Sequence, residues 1–490
     1  MAEAAAAVRA RVVPSSVWVV AVWVGSAVYA VALTAKSVSD HSRFRTGVDT
    51  AVYDQLLWLL AHGHDPFSTV LTRPFLSAHF EPAVALLTPL YWLDLGIPGI
   101  FAAQSIALAL SAPALFALAR DRGARPALAA IPALLWLACP WVASANLFEF
   151  RPDPFVPVLL VLSVLFAFRE RTWLFVATML LALCLKEDVS LTYLVLGLLL
   201  AYHGSRRFGF AVAAVSAAWF VGATLAMRAF GASFEAYGQR WAGDRGETIP
   251  DALGWAARNP LETISDIGSH SVLGLLAILL STAGLALLAP SWLWLAAPAV
   301  TYNVLSAYDP QHDLVHHYHL STVTAVFVAA AIGVPKVTAL GRYARDAVAV
   351  GLGVAAVLAL VGGVRVHTIS GDAVSLEPEP TRRLLERIPD DEPVAATRTL
   401  LPHLSQRTDV WTLPEPFIRI DWGGSLSEEE LAERAPEVRW VAYAEGDQVG
   451  TFFTGELGRE RAVPDVRPTL RREGFAVVAR AGTVELYQRR

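Results

Sequence analysis

Long apolar runs alternate with short polar breaks along this chain. The runs at 14–36, 98–119, 125–144, 154–168, 172–185, 189–203, 208–229, 271–288, 291–306, 317–334 and 347–367 predict helices. Several approach the roughly 20 apolar residues that cross a bilayer core of about 30 Å, so the pattern predicts a mostly α, polytopic membrane protein of about eleven spans. The stretch 80–95 is interrupted by Pro82 and Pro89 and reads as a re-entrant or interfacial segment. Lys186, Glu187 and Asp188 divide an otherwise continuous run into two short helices. Such a charged break at membrane depth is tolerated where it lines a protein cavity.

The pattern changes near residue 376. Residues 381–387 read as helical, 393–397, 400–404 and 410–413 as strand-like, and 427–435 as a helix opened by Ser427 and acids. A strand at 439–444 and a hairpin over 475–480 and 483–488 follow, which predicts a small α/β domain. The chain thus divides into a polytopic region, 1–370, and a small soluble domain, 376–490.

Composition and charge sharpen this picture. At 55% hydrophobic residues and a mean hydropathy of +0.46, a soluble globular chain is excluded. No basic stripe interleaved with aromatics supports nucleic-acid binding, and no GxGxxG or P-loop marks the C-terminal domain as a nucleotide site. Cys139 and Cys184 lie inside apolar runs and form no CxxC pair. The first run lacks a clear small-residue cleavage site and reads as a retained first span.

The polar breaks sort into two sets. One is Arg-rich: Arg9/Arg11, Arg120/Arg122/Arg125, Arg169/Arg171, Arg206/Arg207 and Lys336/Arg342/Arg345. The other, at 40–81, 148–153, 186–188, 233–266 and 307–319, is rich in acids, His and aromatics. The positive-inside rule puts the first set in the cytoplasm. A multi-pass protein of the cytoplasmic membrane follows, with a cytoplasmic N-terminus, an extracytoplasmic C-terminal domain and its reactive side chains on the outer face.

Five stretches of the second set carry candidate chemistry. In a helix over 46–58, Asp49 and Tyr53 share one face and Asp54 and Trp58 another. The two acids are then about 140° apart, so they do different jobs. A carboxylate held there is a candidate general base; the alternative is an interfacial helix whose acids face water. His79 and Glu81 suit a metal, a phosphate or a sugar hydroxyl. Glu149 and Arg151 sit on a turn between aromatics, where Arg151 suits a phosphate. Lys186, Glu187 and Asp188 form the most costly cluster, with Lys186 placed for a lipid phosphate and an acid balancing it. Asp309-Pro310 reads as a helix start, from which His312, His316 and His319 fall on one stripe at i, i+4 and i+7. No ligand spacing matches a zinc motif such as HExxH, so any divalent metal cofactor stays unknown.

The strings Asp49-x-x-x-Tyr53-Asp54-Gln55-x-x-Trp58, His79-Phe-Glu-Pro82, Phe148-Glu-Phe-Arg-Pro-Asp153, Lys186-Glu-Asp188 and His316-His-Tyr-His319 resemble a family of predicted bacterial and archaeal membrane proteins. It is catalogued as domain of unknown function 2079, and it in turn resembles the GT-C superfamily of polytopic glycosyltransferases. The resemblance covers about residues 20–480. In GT-C enzymes an acid soon after the first transmembrane helix is the catalytic base or a metal ligand; Asp49 stands in that place and Asp54 is second. Arg151 stands where many relatives carry His, which weakens a metal role for that turn. The resemblance implies transfer of a sugar from a polyprenyl-phosphate donor to an acceptor of unknown identity, with membrane lipids as surroundings. A transporter or flippase of a lipid-linked or polar solute is the alternative.

Overall fold

The computed structural model describes residues 15–233, 249–270, 272–369, 375–420, 426–447 and 465–490, with isolated positions between them. Arg9 and Arg11 lie outside the described residues, as does most of 234–248. The chain is mostly helical up to residue 369. Among the described residues, Ser16–Ser42, Gly96–Asp121, Arg206–Ala229 and His317–Ala339 are long and apolar enough to cross a membrane. Pro126–Ala138 and Pro140–Phe148 make one more if the pair, bent by 41°, is a single span. The bend follows from Pro140, which opens the second helix and leaves Cys139 extended.

Asp153–Phe168, Thr172–Leu183, Val189–His203, Val272–Ser281 and Val348–Val361 are shorter apolar helices, each where a run was expected. The break at Lys186 separates two helices. The run at 291–306 instead divides into a 3-10 segment, Pro290–Ala296, and the helix Ala297–Val304, with a proline opening each. Residues 80–95 hold a 3-10 segment, Pro82–Leu87, and one helical turn, Pro89–Trp92. Val189–His203 crosses Arg206–Ala229 closely, because Gly197 and Gly209 bring backbone against backbone.

Residues 376–490 build a five-stranded sheet in the order Val410–Thr412, Val394–Ala396, Trp440–Ala444, followed by the two strands of the terminal hairpin. Here β3 is Val394–Ala396, β4 is Val410–Thr412 and β5 is Trp440–Ala444. β3 runs parallel to both β4 and β5, and the hairpin Phe475–Ala481/Val484–Arg489 adds antiparallel strands beyond β5. Ser427 and Glu430 cap Glu428–Arg434 reciprocally. The expected strand at 400–404 is a 3-10 turn, Leu401–His403, with Pro402 removing a ladder donor.

This domain shares a hydrophobic core with the bundle. Leu56 and Leu57 of α2 (Val48–Ala61), the helix that follows α1 (Ser15–Ser42), pack with Ile100 and Phe101 in one cluster with Leu384, Leu401, Val410 and Leu486. Polar contacts join them as well. Asp54 accepts bonds from Ser405 Oγ (2.6 Å) and Gln406 Nε2 (3.1 Å), and Gln55 Nε2 donates to the Thr408 carbonyl (3.2 Å). The small hairpin of β1 (Phe67–Ser68) and β2 (Arg73–Pro74) lies beside the same seam, where Thr412 Oγ1 donates to the Val70 carbonyl (2.9 Å).

Candidate active site

Helix α2 begins at Val48 with Gly47 before it, and glycine offers no side chain to cap the first turn. A distant residue supplies the cap. Thr50 N donates to Glu149 Oε2 at 2.8 Å, across 99 positions of sequence. Glu149 belongs to the turn after Pro140–Phe148, and Gln104 of Gly96–Asp121 pins that turn. Gln104 Nε2 donates to the carbonyls of Asn146 (2.7 Å) and Glu149 (3.2 Å), while its Oε1 accepts from Arg151 N (2.9 Å). Arg151 then forms an ion pair with Asp49, in the first turn of α2. Its guanidinium lies 5.9 Å from the centre of the Phe148 ring.

Arg398 of the C-terminal domain completes a quartet by reaching Glu149 Oε1 at 3.4 Å. Burial pushes the Glu149 carboxyl up, and Asp49 beside it pushes the same way. Arg398, the Thr50 amide and Arg151 oppose them. Burial works against charge on Arg151, yet Asp49 before all else holds it protonated.

A second ionic group lies on the other side of Tyr53. Tyr53 Oη donates to Glu81 Oε2 at 2.8 Å. Burial pushes Glu81 up to about 7, against the nearby His79 and Lys186. His79 Nδ1 meets Glu187 Oε1 at 2.9 Å, and Phe80 N donates to Glu187 Oε2 at 3.0 Å. Burial alone would raise Glu187; His79, Lys186 and the Phe80 amide hold it down at about 2. Lys186 Nζ reaches Asp153 Oδ1 at 3.3 Å and stays charged despite its burial, through Asp153, Asp188 and Glu187. Burial raises Asp188, with Glu187 adding to the effect and Lys186 opposing it.

The two groups meet along the 151–153 turn and at His317. This ring is buried at 2% exposure and lies within electrostatic reach of Arg151, Lys186, His316 and His79. Neither of its nitrogens has a hydrogen-bond partner among the described residues. Its faces meet Tyr318 (4.2 Å between centroids) and Phe148 (5.8 Å), and Phe148 also meets His316 at 5.0 Å.

Asp49, Tyr53, His79, Glu81, Glu149, Arg151, Lys186, Glu187, Asp188 and His316 therefore converge. Asp54, His312 and His319 do not. Asp54 is fully buried beneath the C-terminal domain, where Tyr91, Ser405 and Gln406 bond it. His312 Nε2 meets the Ser306 carbonyl at 2.8 Å, and His319 is buried against the Gln311 and His312 backbone. The expected helical His stripe is replaced by two 3-10 turns, Asp309–Gln311 and His317–His319. The cause is local. Asp313 Oδ1 accepts from Val315 N (3.0 Å), a turn that competes with helix, and His316 is extended. No three His, Cys, Asp or Glu side chains among the described residues gather as metal ligands, and Asp49 is taken by a guanidinium, so this set does not fit a metal.

An apolar cavity of about 150 Å³ backs onto the ionic groups. Its lining includes Val84, Leu87, Phe150, Pro152, Phe155, Leu159 and Leu185. Leu185 precedes Lys186, and Phe150 and Pro152 flank Arg151, so the same two stretches present apolar groups to the cavity and cations to the site.

Sequence reading singled out neither His317, Gln104 nor Arg398. His317 falls off the helical stripe on which the other histidines were grouped. Gln104, the one amide side chain in the 26-residue helix Gly96–Asp121, is a usable signal. Arg398 carries no local signal.

The chain matches the model of the predicted membrane protein family DUF2079 over residues 41–449. No match emerged among curated proteins. Among solved structures, the fold is similar to that of ArnT from Cupriavidus metallidurans. The apo form gives a TM-score of 0.55 at 16% identity, covering 96% of this chain and 98% of ArnT. The form bound to undecaprenyl phosphate gives 0.53 at 15%, covering 93% and 97%. The archaeal oligosaccharyltransferase AglB from Archaeoglobus fulgidus, in complex with an inhibitory peptide and a dolichol-phosphate, gives 0.45 at 12%, covering 85% and 69%. With the family model spanning most of its length, this chain belongs to the predicted membrane protein family DUF2079.

Proposed function

We propose that the protein is a membrane glycosyltransferase that moves a sugar from a polyprenyl-phosphate donor to an acceptor hydroxyl at the outer face of the cytoplasmic membrane. One observation carries this reading: the stretches that hold Arg151 and Lys186 in ion pairs also line a wholly apolar cavity. A phosphate with an isoprenoid tail needs both at once. The ArnT structure with undecaprenyl phosphate bound supports the choice of carrier.

In this reading the acceptor separates Asp49 from Arg151. Asp49 takes the acceptor proton as the acceptor oxygen bonds to the anomeric carbon. The bond from that carbon to the phosphate oxygen breaks, and its electron pair leaves on the polyprenyl phosphate. Arg151 and Lys186 stabilise that developing charge. His316 and His317, packed against Phe148, hold the sugar or phosphate oxygens. The acids on the Lys186 side keep the empty site near neutrality.

The test uses full-length protein in lipid nanodiscs with undecaprenyl-phosphate-linked hexoses, pentoses and N-acetylhexosamines, read as release of undecaprenyl phosphate. Asp49→Asn should cut kcat by about 10²–10⁴-fold. Undiminished release by folded Asp49→Asn removes Asp49 as base. Vesicle uptake of the donor with no release by the wild type removes the transferase reading.

A further inference from the structure

Arg398 enters the site from outside the helical bundle. It follows β3, and its neighbours are fixed: Thr397 N donates to the Ala442 carbonyl (3.1 Å), and Thr399 donates to Asp447 Oδ2 through both N (2.8 Å) and Oγ1 (2.7 Å). From this anchored position the side chain lies across Gly47. A Cβ on Gly47 would stand 2.6 Å from Arg398 Nε and 3.0 Å from Glu149 Oε1. Gly47 has φ −135°, outside the left-handed region, so what an added Cβ would displace there is the Arg398 side chain, itself 49% exposed.

The same glycine leaves α2 without its own cap. Glu149 fills that role with Oε2, and its Oε1 faces Arg398. A carboxylate buried to 4% exposure needs a counter-charge, and Arg151 is engaged by Asp49. Arg398 is the remaining guanidinium in contact with it.

We propose that Arg398 is a positioning residue of the transfer site: laid in the Gly47 slot, it keeps Glu149 as the carboxylate that holds the first turn of α2, and so places Asp49. The C-terminal domain is then part of the active site without touching the reacting atoms. This rests on the reading of Asp49 as base.

The experiment compares Arg398→Gln, Arg398→Lys, Gly47→Ala and Asp49→Asn in the nanodisc release assay, with thermal unfolding and limited proteolysis of each. Arg398→Gln should lower kcat by roughly 10–100-fold at little cost in KM, as for a misplaced catalytic group. Arg398→Lys should keep part of the activity that Arg398→Gln loses. The groups facing Glu149 are Asp49, Arg151, Arg398 and the Thr50 amide, and removing Arg398 leaves Glu149 protonated to higher pH. The acid limb of the kcat profile should therefore move toward higher pH. Gly47→Ala, which evicts Arg398 without removing it, should reproduce these effects, and the double variant should be no worse than either single one.

Wild-type kcat in Arg398→Gln beside a dead Asp49→Asn overturns this inference and leaves the transferase reading standing. An active Asp49→Asn overturns the reading itself. Loss of activity in Arg398→Gln with ready proteolytic release of the C-terminal fragment also overturns the inference, because the role would then be docking.

Discussion

Glu81 is surrounded by groups that disagree about its charge. Burial lifts its carboxyl from the ordinary 4.5 to about 7, while His79, Lys186 and the Tyr53 hydroxyl favour the ionised form. A carboxyl raised on folding contributes stability that is whole below the unfolded value and lost as pH rises through the folded one. The window here is therefore about 4.5 to 7. Thermal unfolding should show stability falling across it, and Glu81→Gln should flatten that slope. An equal slope in the variant would assign the effect to other groups. Lys186 gives a separate prediction. Its charge lies beside the apolar cavity, so Lys186→Met should weaken undecaprenyl phosphate binding by roughly 10–100-fold, the worth of one charge-assisted hydrogen bond. Titration calorimetry in nanodiscs reads this directly; unchanged affinity would move the phosphate elsewhere.

Among elements, the crossing of Val189–His203 with Arg206–Ala229 shows how closely two helices can pack when side chains are missing. A Cβ on Gly209 would fall 2.2 Å from Ala201 N, and one on Gly197 would fall 2.5 Å from Ala213 N. Gly209→Ala must push the helices apart, at about 1–3 kcal/mol. A thermal-shift assay in detergent should register that loss, and a wild-type midpoint would contradict the crossing. The spacing Gly197-x₃-Ala201 against Gly209-x₃-Ala213 is visible in the sequence, though apolar periodicity alone passes over it.

More of the elements was legible than of the site. Runs of apolar residues coincide with helices because hydropathy is local, and Ser427-x-x-Glu430 announces its own cap. The 309–319 segment misleads because one Asp313 hydrogen bond outcompetes a favourable helical spacing. Asp49, Arg151 and Lys186 could be read as candidates from their charge in apolar surroundings. Which groups pair could not be read, since Glu149 caps a helix 99 positions away and Arg398 is 249 positions from the acid it meets.

At the scale of the whole molecule, the C-terminal domain and the bundle share a core, and Asp54 is the polar pin between them. Its carboxylate takes Tyr91, Ser405 and Gln406 at 2.6, 2.6 and 3.1 Å. Asp54→Ala would leave these buried donors unpaired, at a cost on the order of 3 kcal/mol. Limited proteolysis should then release a fragment near residue 375 faster than from wild type, while Asp49→Asn should not change that rate. Equal release rates would shift the docking energy onto the apolar seam.

The cap that Glu149 places on α2 also has a consequence in time. A chain made at roughly 5–20 residues per second leaves Asp49 on an uncapped turn for several seconds, until the turn bearing Glu149 has been synthesised. Arg398 arrives a further 249 positions later. Until then the nascent polypeptide carries this carboxylate in an unfinished setting, and residues made after the helical bundle supply the part that closes it.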